Sequence, residues 1–444
     1  MNRLRADSWR GPSRYRPADI PHLLRSPLGR IQFRHGVHYR LWPVLSALAG
    51  WYRRIVVPGT RVVCVVGSYG KTTTTRAVAV ALQRPIHRNL HLNCWSYVSD
   101  AVFRIRPGDR HSVIEVGISD TGQMDQYARL IRPDIVVVTS IGSEHHRSLG
   151  TLEVTRSEKA EMVRALPESG LAVLNGDDPN VRWMAGLTAA NVITFGFGEA
   201  NDVRATDAKL AWPEGTRFRL HIGGEARTVQ TSLLGIPMVY PVLAAIAVAS
   251  AEGLPLERTL AAIESLPPTP GRLEAQQLPS GAMLLRDDYK AALETIHAAL
   301  DLFSEIPARR RGVVMGEVFE PPGSQGPIYR EIGRRIAAMA DYAIFVGGSF
   351  QPYAAGAKRA GLPRSSLFNA RRSVLKAVEY LRNELRPGDV VLVKGRNTQR
   401  LERIALVLAG REVRCEINCC NTRVVTCAEC PMVERGWNGL RVVI

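Results

Sequence analysis

The stretch from Arg61 to Thr75, RVVCVVGSYGKTTTT, constrains the fold more than any other part of the chain. The residues before Gly67 are almost all Val or Cys, the composition of a strand buried on both faces. Gly67-Ser68-Tyr69-Gly70 turns the chain. Lys71-Thr72-Thr73-Thr74 then opens a helix predicted to run to about Gln83. A strand, a glycine-bearing turn and a helix start bring backbone N–H groups and the positive end of a helix dipole to one point, which suits a phosphate. Lys71 is placed to neutralise the β- and γ-phosphates of ATP, and the Thr72 hydroxyl to hold Mg²⁺. The general form of such a loop needs Gly at position 65. Here that residue is Val65, and the pattern is the shorter G-x-x-G-K-T-T.

The rest of the chain narrows the partners. The net charge is +17, carried almost entirely by Arg, since only seven residues are Lys. No aromatic-interleaved basic repeat accompanies the charge, so nucleic acid is not an expected partner. Over half of the excess lies in residues 1–59, a basic segment with eleven Arg against Asp7 and Asp19, interrupted by proline. Within it Leu41–Val57 reads as a helix. It either packs on the next domain or makes a peripheral contact with a membrane or a protein. There is no apolar signal segment and no stretch long enough to cross a bilayer, so a cytoplasmic protein is expected.

From residue 60 to 266 strands alternate with helices. Ser112–Ser119 carries Glu115, Asp134–Gly142 leads into His145 and His146, and Gly170–Leu174 precedes Asn175-Gly176-Asp177-Asp178. Polar residues at the ends of successive strands predict a parallel α/β sheet with its ligands at the carboxyl edge. Mg²⁺ takes hard oxygen ligands, so Glu115 beside the phosphate loop fits it, and a His at the next strand tip is a candidate for a second metal.

The segments EVGISDTGQM, RPDIVVVTSIGSEH, SEKAEM and LNGDDPN, in this order, resemble the central domain of the Mur ligase family. The likeness is strongest to the branch that adds D-Ala-D-Ala. It implies that Gly67, Ser68, Gly70, Lys71, Thr72 and Thr73 bind ATP, and that Glu115 and His145 ligate Mg²⁺. It further implies that Lys159 is the lysine the family carbamylates to hold a second Mg²⁺, and that Asn175 and Asp178 lie near the nucleotide. Where the family carries polar residues towards adenine, this chain has Pro237, Met238 and Pro241 ahead of an Ala-rich helix.

A proline run at 266–270 marks a linker. Residues 267–412 then repeat the βα alternation, predicting a second, Rossmann-like domain that the same resemblance extends over. The resemblance puts Arg272 on the nucleotide phosphates and Asp287 on the ribose. The family's amine-side signatures are altered here: Asp287-Asp288-Tyr289-Lys290-Ala291-Ala292 lacks both Asn, and Lys394-Gly395-Arg396 replaces K-G-S. In residues 413–444, Cys415, Cys419, Cys420, Cys427 and Cys430 have a spacing suited to structural Zn²⁺, with free or redox-labile thiols or an iron–sulfur cluster as the alternatives. The expected function is an ATP-dependent, ADP-forming ligase in which Lys71, Lys159, Glu115 and His145 are the catalytic set. It would join a small or carrier-presented carboxylate to an amine, and not the housekeeping UDP-muramyl substrate, because no α/β domain is legible before residue 60. The alternative is a non-catalytic nucleotide-binding module descended from such a ligase.

Overall fold

The structure, a computed structural model, describes residues 17–436 other than 89, 91, 144, 145, 322, 421 and 423. It divides into two compact units. Of the described residues, the first holds 35–267 and the second holds 17–34 together with 268–436.

The first unit is built on one eight-stranded sheet. Its strands are β1 (Arg61–Val66), β2 (His111–Glu115), β3 (Ile135–Val138), β4 (Leu171–Asn175), β5 (Asn191–Gly196), β6 (Val203–Ala211), β7 (Gly215–Ile222) and β8 (Glu225–Thr231). The order is β2-β1-β3-β4-β5-β6-β7-β8, parallel from β2 to β6 and antiparallel from there on. β1 shows why a run of Val was needed. Val62, Cys64 and Val66 face one core, with Trp42, Trp95 and Tyr127. Val63 and Val65 face the other, with the helices Lys71–Ala81 and Ile236–Ala251. A strand covered on both faces has no solvent side on which to place a polar residue.

The helix Ile236–Ala251 begins earlier than the sequence reading had it. Gly235 precedes it, Pro237 sits in its first turn and Pro241 lies inside it. Its nine consecutive apolar positions from Pro241 to Ala249 are all buried, as expected of a helix covered all round. Leu41–Val57 does contain a helix, Trp42–Ile55. It is docked by Arg53, whose guanidinium donates to Ile131 O at 2.9 Å, Val57 O at 2.7 Å and Asp134 Oδ2 at 3.0 Å.

The second unit carries a six-stranded sheet of β9 (Glu274–Gln277), β10 (Met283–Asp287), β11 (Arg310–Met315), β12 (Tyr342–Phe345), β13 (Leu367–Asn369) and β14 (Asp389–Lys394). The order is β13-β12-β11-β14-β10-β9, parallel except for β9. β9 and β13 escaped the sequence reading. Both are edge strands of three or four residues, too short to show an alternation.

The cysteine segment does not bear out the zinc expectation. Among the described residues no three His, Cys, Asp or Glu are arranged to hold a metal ion. Cys415, Cys420, Cys427 and Cys430 reach one small cavity walled by Leu28, Ile417, Val425 and Val433, while Cys419 is exposed. Burial pushes the Cys427 and Cys430 thiols up. Arginine takes the role assigned to the metal. Arg403 donates to Cys415 O at 2.7 Å and Ile417 O at 2.6 Å, Arg400 donates to Thr422 O, and Glu402 accepts from Cys427 N at 2.8 Å. The tail is thereby stapled to the helix Glu402–Leu408.

Candidate functional site

The phosphate-type loop lies at the carboxyl end of β1, where the order β2-β1-β3 places the switch point of the sheet. Gly67 has φ +144°, and a Cβ there would stand 2.0 Å from Thr139 Oγ1, so the backbone approach needs glycine. The loop is fastened to the segment after β3. Ser68 N donates to Ser140 O at 2.7 Å, Tyr69 N to Ser140 Oγ at 2.9 Å, and Thr139 Oγ1 to Tyr69 O. Gly70, left-handed at φ +79°, precedes the helix Lys71–Ala81, in whose first turn Thr72 and Thr73 are buried.

Two lysines meet at this loop from different elements. Lys71 is buried, and its Nζ donates to Gly67 O at 2.7 Å and Ser68 O at 3.0 Å. Lys159 comes from the helix Leu152–Arg164, which Thr151 caps by accepting from Val154 N. It too is buried, 3 % exposed, and its Nζ donates to Ser68 Oγ at 3.1 Å. Ser68 Oγ also accepts from Gly142 N at 2.8 Å, which makes this hydroxyl the hub of the site. That role is not legible locally, because the partners are 74 and 91 residues away. Two lysine side chains thus converge on Ser68, a setting of positive charge and backbone N–H groups that suits a phosphate.

Glu115 stands at the end of β2, 5 % exposed. Its Oε1 accepts from Asn93 Nδ2 at 2.6 Å, while Oε2 is buried with no hydrogen-bond partner. An orphaned carboxylate oxygen at a strand tip fits a hard cation. His145 lies outside the described residues.

Asn175 and Asp178 brace the loop after β3. Asn175 Nδ2 donates to Thr139 O at 2.8 Å, and Asp178 Oδ2 accepts from Ile141 N at 2.7 Å. Their neighbour Asp177, which the sequence reading passed over, accepts from Phe197 N at 2.6 Å, Gly198 N at 3.0 Å and Tyr240 Oη at 3.0 Å. Burial acts to raise its carboxyl, but these donors together with Asn201 hold it below the usual range. Tyr240, from the proline-bearing helix, packs edge-on against Phe197 at 5.3 Å. A Tyr–Asp pair thus stands where the sequence showed only the absence of the family's polar residues.

In the second unit the site residues gather at the carboxyl ends of β10, β11 and β14. Asp287 is engaged by Lys394 Nζ at 2.5 Å, and that amine also donates to Lys290 O at 2.8 Å. Burial pulls the Lys394 ammonium down and Asp287 opposes it. Next to it, burial raises Asp288 to about 6 in spite of its ion pair with Arg286. Arg272 lies over the Tyr289 ring at 4.7 Å. Glu317 bridges Gly348 N at 2.8 Å and Arg396 at 3.1 Å. Removing one member of a buried pair strands the other, so Lys394→Met is expected to cost about 3–5 kcal/mol. Denaturant titration of the variant against wild type checks this. A second cluster was missed altogether. Arg371, Arg372 and Lys376 line a cleft of about 500 Å³ beyond β12 and β13, beside the starts of the helices Phe350–Arg359 and Val374–Glu384. The only sign of it in the sequence is the Arg pair two residues past Asn369.

Known proteins share this arrangement. Residues 65–249 match the Mur ligase middle domain, and 271–397 match the Mur ligase, glutamate ligase domain. The UDP-N-acetylmuramoyl-tripeptide--D-alanyl-D-alanine ligase of Mycobacterium bovis is 30% identical over 399 residues, covering 83% of this chain and 77% of that protein. Its counterpart in Bacillus subtilis is 29% identical over 356 residues, covering 78% and 75%. A crystal structure of MurF from Acinetobacter baumannii superposes with a TM-score of 0.74 at 24% identity, over 83% of this chain and 81% of that one. MurF ligase from Thermotoga maritima in complex with ADP gives 0.71 at 22%, over 83% of each. Taken with the glycine-bearing loop, its two lysines and the two βα units, these matches show that the chain belongs to the Mur ligase family.

Proposed function

We propose that this ligase is ATP-dependent and ADP-forming, and that it joins a carboxylate to an amine through an acyl phosphate. Lys71 and Lys159 meeting at Ser68 is the observation that carries the reading. The substrate carboxylate oxygen attacks the γ-phosphorus, and the bond to ADP breaks. The amine nitrogen then attacks the acyl carbon, phosphate leaves, and the amine gives up a proton. The loop N–H groups and Lys71 hold the phosphates and offset charge that builds on them. Mg²⁺ would be held by Glu115, Thr72 and, if carbamylated, Lys159, and when bound it supplies further charge neutralisation. No side-chain nucleophile is needed. Zinc has no part in this account, since the residues present do not fit it. With ATP as co-substrate, the reaction belongs to the cytoplasm.

We further propose small-molecule substrates that differ from those in the relatives' names. The amine-side signature positions are changed at Lys290, Ala292 and Arg396. The cationic cleft at Arg371, Arg372 and Lys376 suits an amine that itself carries a carboxylate or phosphate, a property D-Ala-D-Ala shares, so the altered signature positions alone argue for a different amine. ADP release is to be measured across neutral and acidic amines with a panel of acid acceptors. Turnover with an acidic amine is expected. Efficient turnover of the UDP-N-acetylmuramoyl tripeptide with D-Ala-D-Ala would overturn the substrate proposal and leave the ligase reading in place. ADP release that no amine stimulates would favour the non-catalytic alternative.

A further inference from the structure

The helix Trp42–Ile55 carries two opposed faces. Trp42, Ala49 and Arg53 are buried against the first unit. Leu41, Val44, Leu48, Trp51 and Ile55 point the other way and are between 44% and 63% exposed. At 100° per residue these five positions fall within an arc of ~80°. A scatter of exposed apolar residues would be ordinary, but a single file of five, with a Trp among them, is not. Among the described residues no helix is long and apolar enough to cross a membrane, so the file is not part of a span.

The charge beside the file is one-sided. Tyr52, one step beyond the edge of the arc, packs edge-on against Phe103 at 5.7 Å and lines a groove of about 520 Å³. Arg84, His87, Arg104 and Arg106 line the same groove, against the single carboxylate of Asp109, which Arg84 pairs at 2.5 Å. Arg104 and Arg84 together push the His87 ring down after burial has done so, a sign of surplus positive potential. Arg54 is exposed on the far side of the file. In the sequence there is no Asp or Glu between Asp19 and Asp100, a span with ten Arg and one Lys.

We propose that this face seats the enzyme on an anionic lipid bilayer, with the apolar file in the headgroup–acyl boundary and lipid phosphate in the arginine groove. Two observations favour a bilayer over a protein. The file is five side chains on one helix, far short of the about 20–30 residues that each partner gives to a standard specific interface. The file also holds no polar side chain to supply the hydrogen bonds that such an interface carries. Apolar side chains flanked by arginine are the composition of a helix lying in the membrane plane.

Flotation of the full chain with vesicles tests the proposal. Equimolar phosphatidylcholine and phosphatidylglycerol are compared with phosphatidylcholine alone. The chain should float with the anionic vesicles, less so as salt rises. Leu48→Glu with Trp51→Glu should weaken this at least about tenfold, with melting temperature and ADP release as in wild type, since both positions are exposed. Arg104→Gln with Arg106→Gln should reduce binding to the anionic vesicles alone. A blue-shifted emission that Trp51→Phe removes would place the file in the lipid. Failure of wild type to float, or equal flotation of the Glu variant, overturns the proposal. So does a wild-type dimer that ignores vesicles and that the Glu variant splits, since the face would then join copies of the chain. None of these results bears on the ligase chemistry.

Discussion

Lys71→Ala is expected to abolish ADP release and to leave the chain folded. The amine sits at the first position of the loop helix and arches back over the carbonyls of Gly67 and Ser68. It contributes a full charge at the point where the helix start supplies only partial ones. Loss of a single preorganised donor in comparable sites costs about 10²–10³ in rate, and loss of a charge at a triphosphate should exceed that. The structural cost is small. The variant loses two hydrogen bonds, to the carbonyls of Gly67 and Ser68, at about 1 kcal/mol each. Coupled-assay turnover measured with the melting temperature separates the two effects. A folded variant with normal turnover would remove the phosphate-loop assignment.

Lys159→Ala should lower turnover on the order of 10²-fold or more. The rescue then decides the role of the residue. Its Nζ touches Ser68 Oγ, not bulk solvent, so the side chain belongs to the site. An ammonium there would act by bracing Ser68. A carbamate would act as an oxygen ligand for Mg²⁺, which prefers hard donors. Short carboxylic acids can stand in for a carbamate but not for an ammonium. Partial recovery of Lys159→Ala with added acetate or formate is the expected result. Activity restored only by alkylamines would assign the residue to bracing, and unaltered activity in the alanine variant would remove it from the mechanism.

Much of this site could be read from the sequence because its signals are local. The phosphate loop is a run of neighbouring residues whose strand, turn and helix signals agree. Glu115 was legible as a carboxylate at a predicted strand end, and the linker before Gly271 as a proline run. The residues that misled were those whose meaning depends on distant partners. The five cysteines have a spacing that fits zinc, yet Arg403 on the preceding helix and Arg400 just before it hold the segment. Asn175 and Asp178 are a different case: beside their nucleotide-site pattern stand hydrogen bonds to the loop after β3, which a local pattern does not show.

The order of elements, the glycine at position 67 and the chemistry available at Lys71 follow from the sequence by itself. Each is settled by backbone sterics or by the periodicity of a dozen adjacent residues. Tertiary structure alone decided that Lys159 meets Ser68 and that Lys394 is spent on Asp287, 107 residues away. It also decided that one face of the helix Trp42–Ile55 is left uncovered. Hydrophobic pattern tells a helix which sides are apolar, but not which of them the fold will bury. That depends on neighbours brought in from elsewhere in the chain, and here Trp95 and Tyr127 cover Trp42 while no described residue covers Trp51 to the same degree.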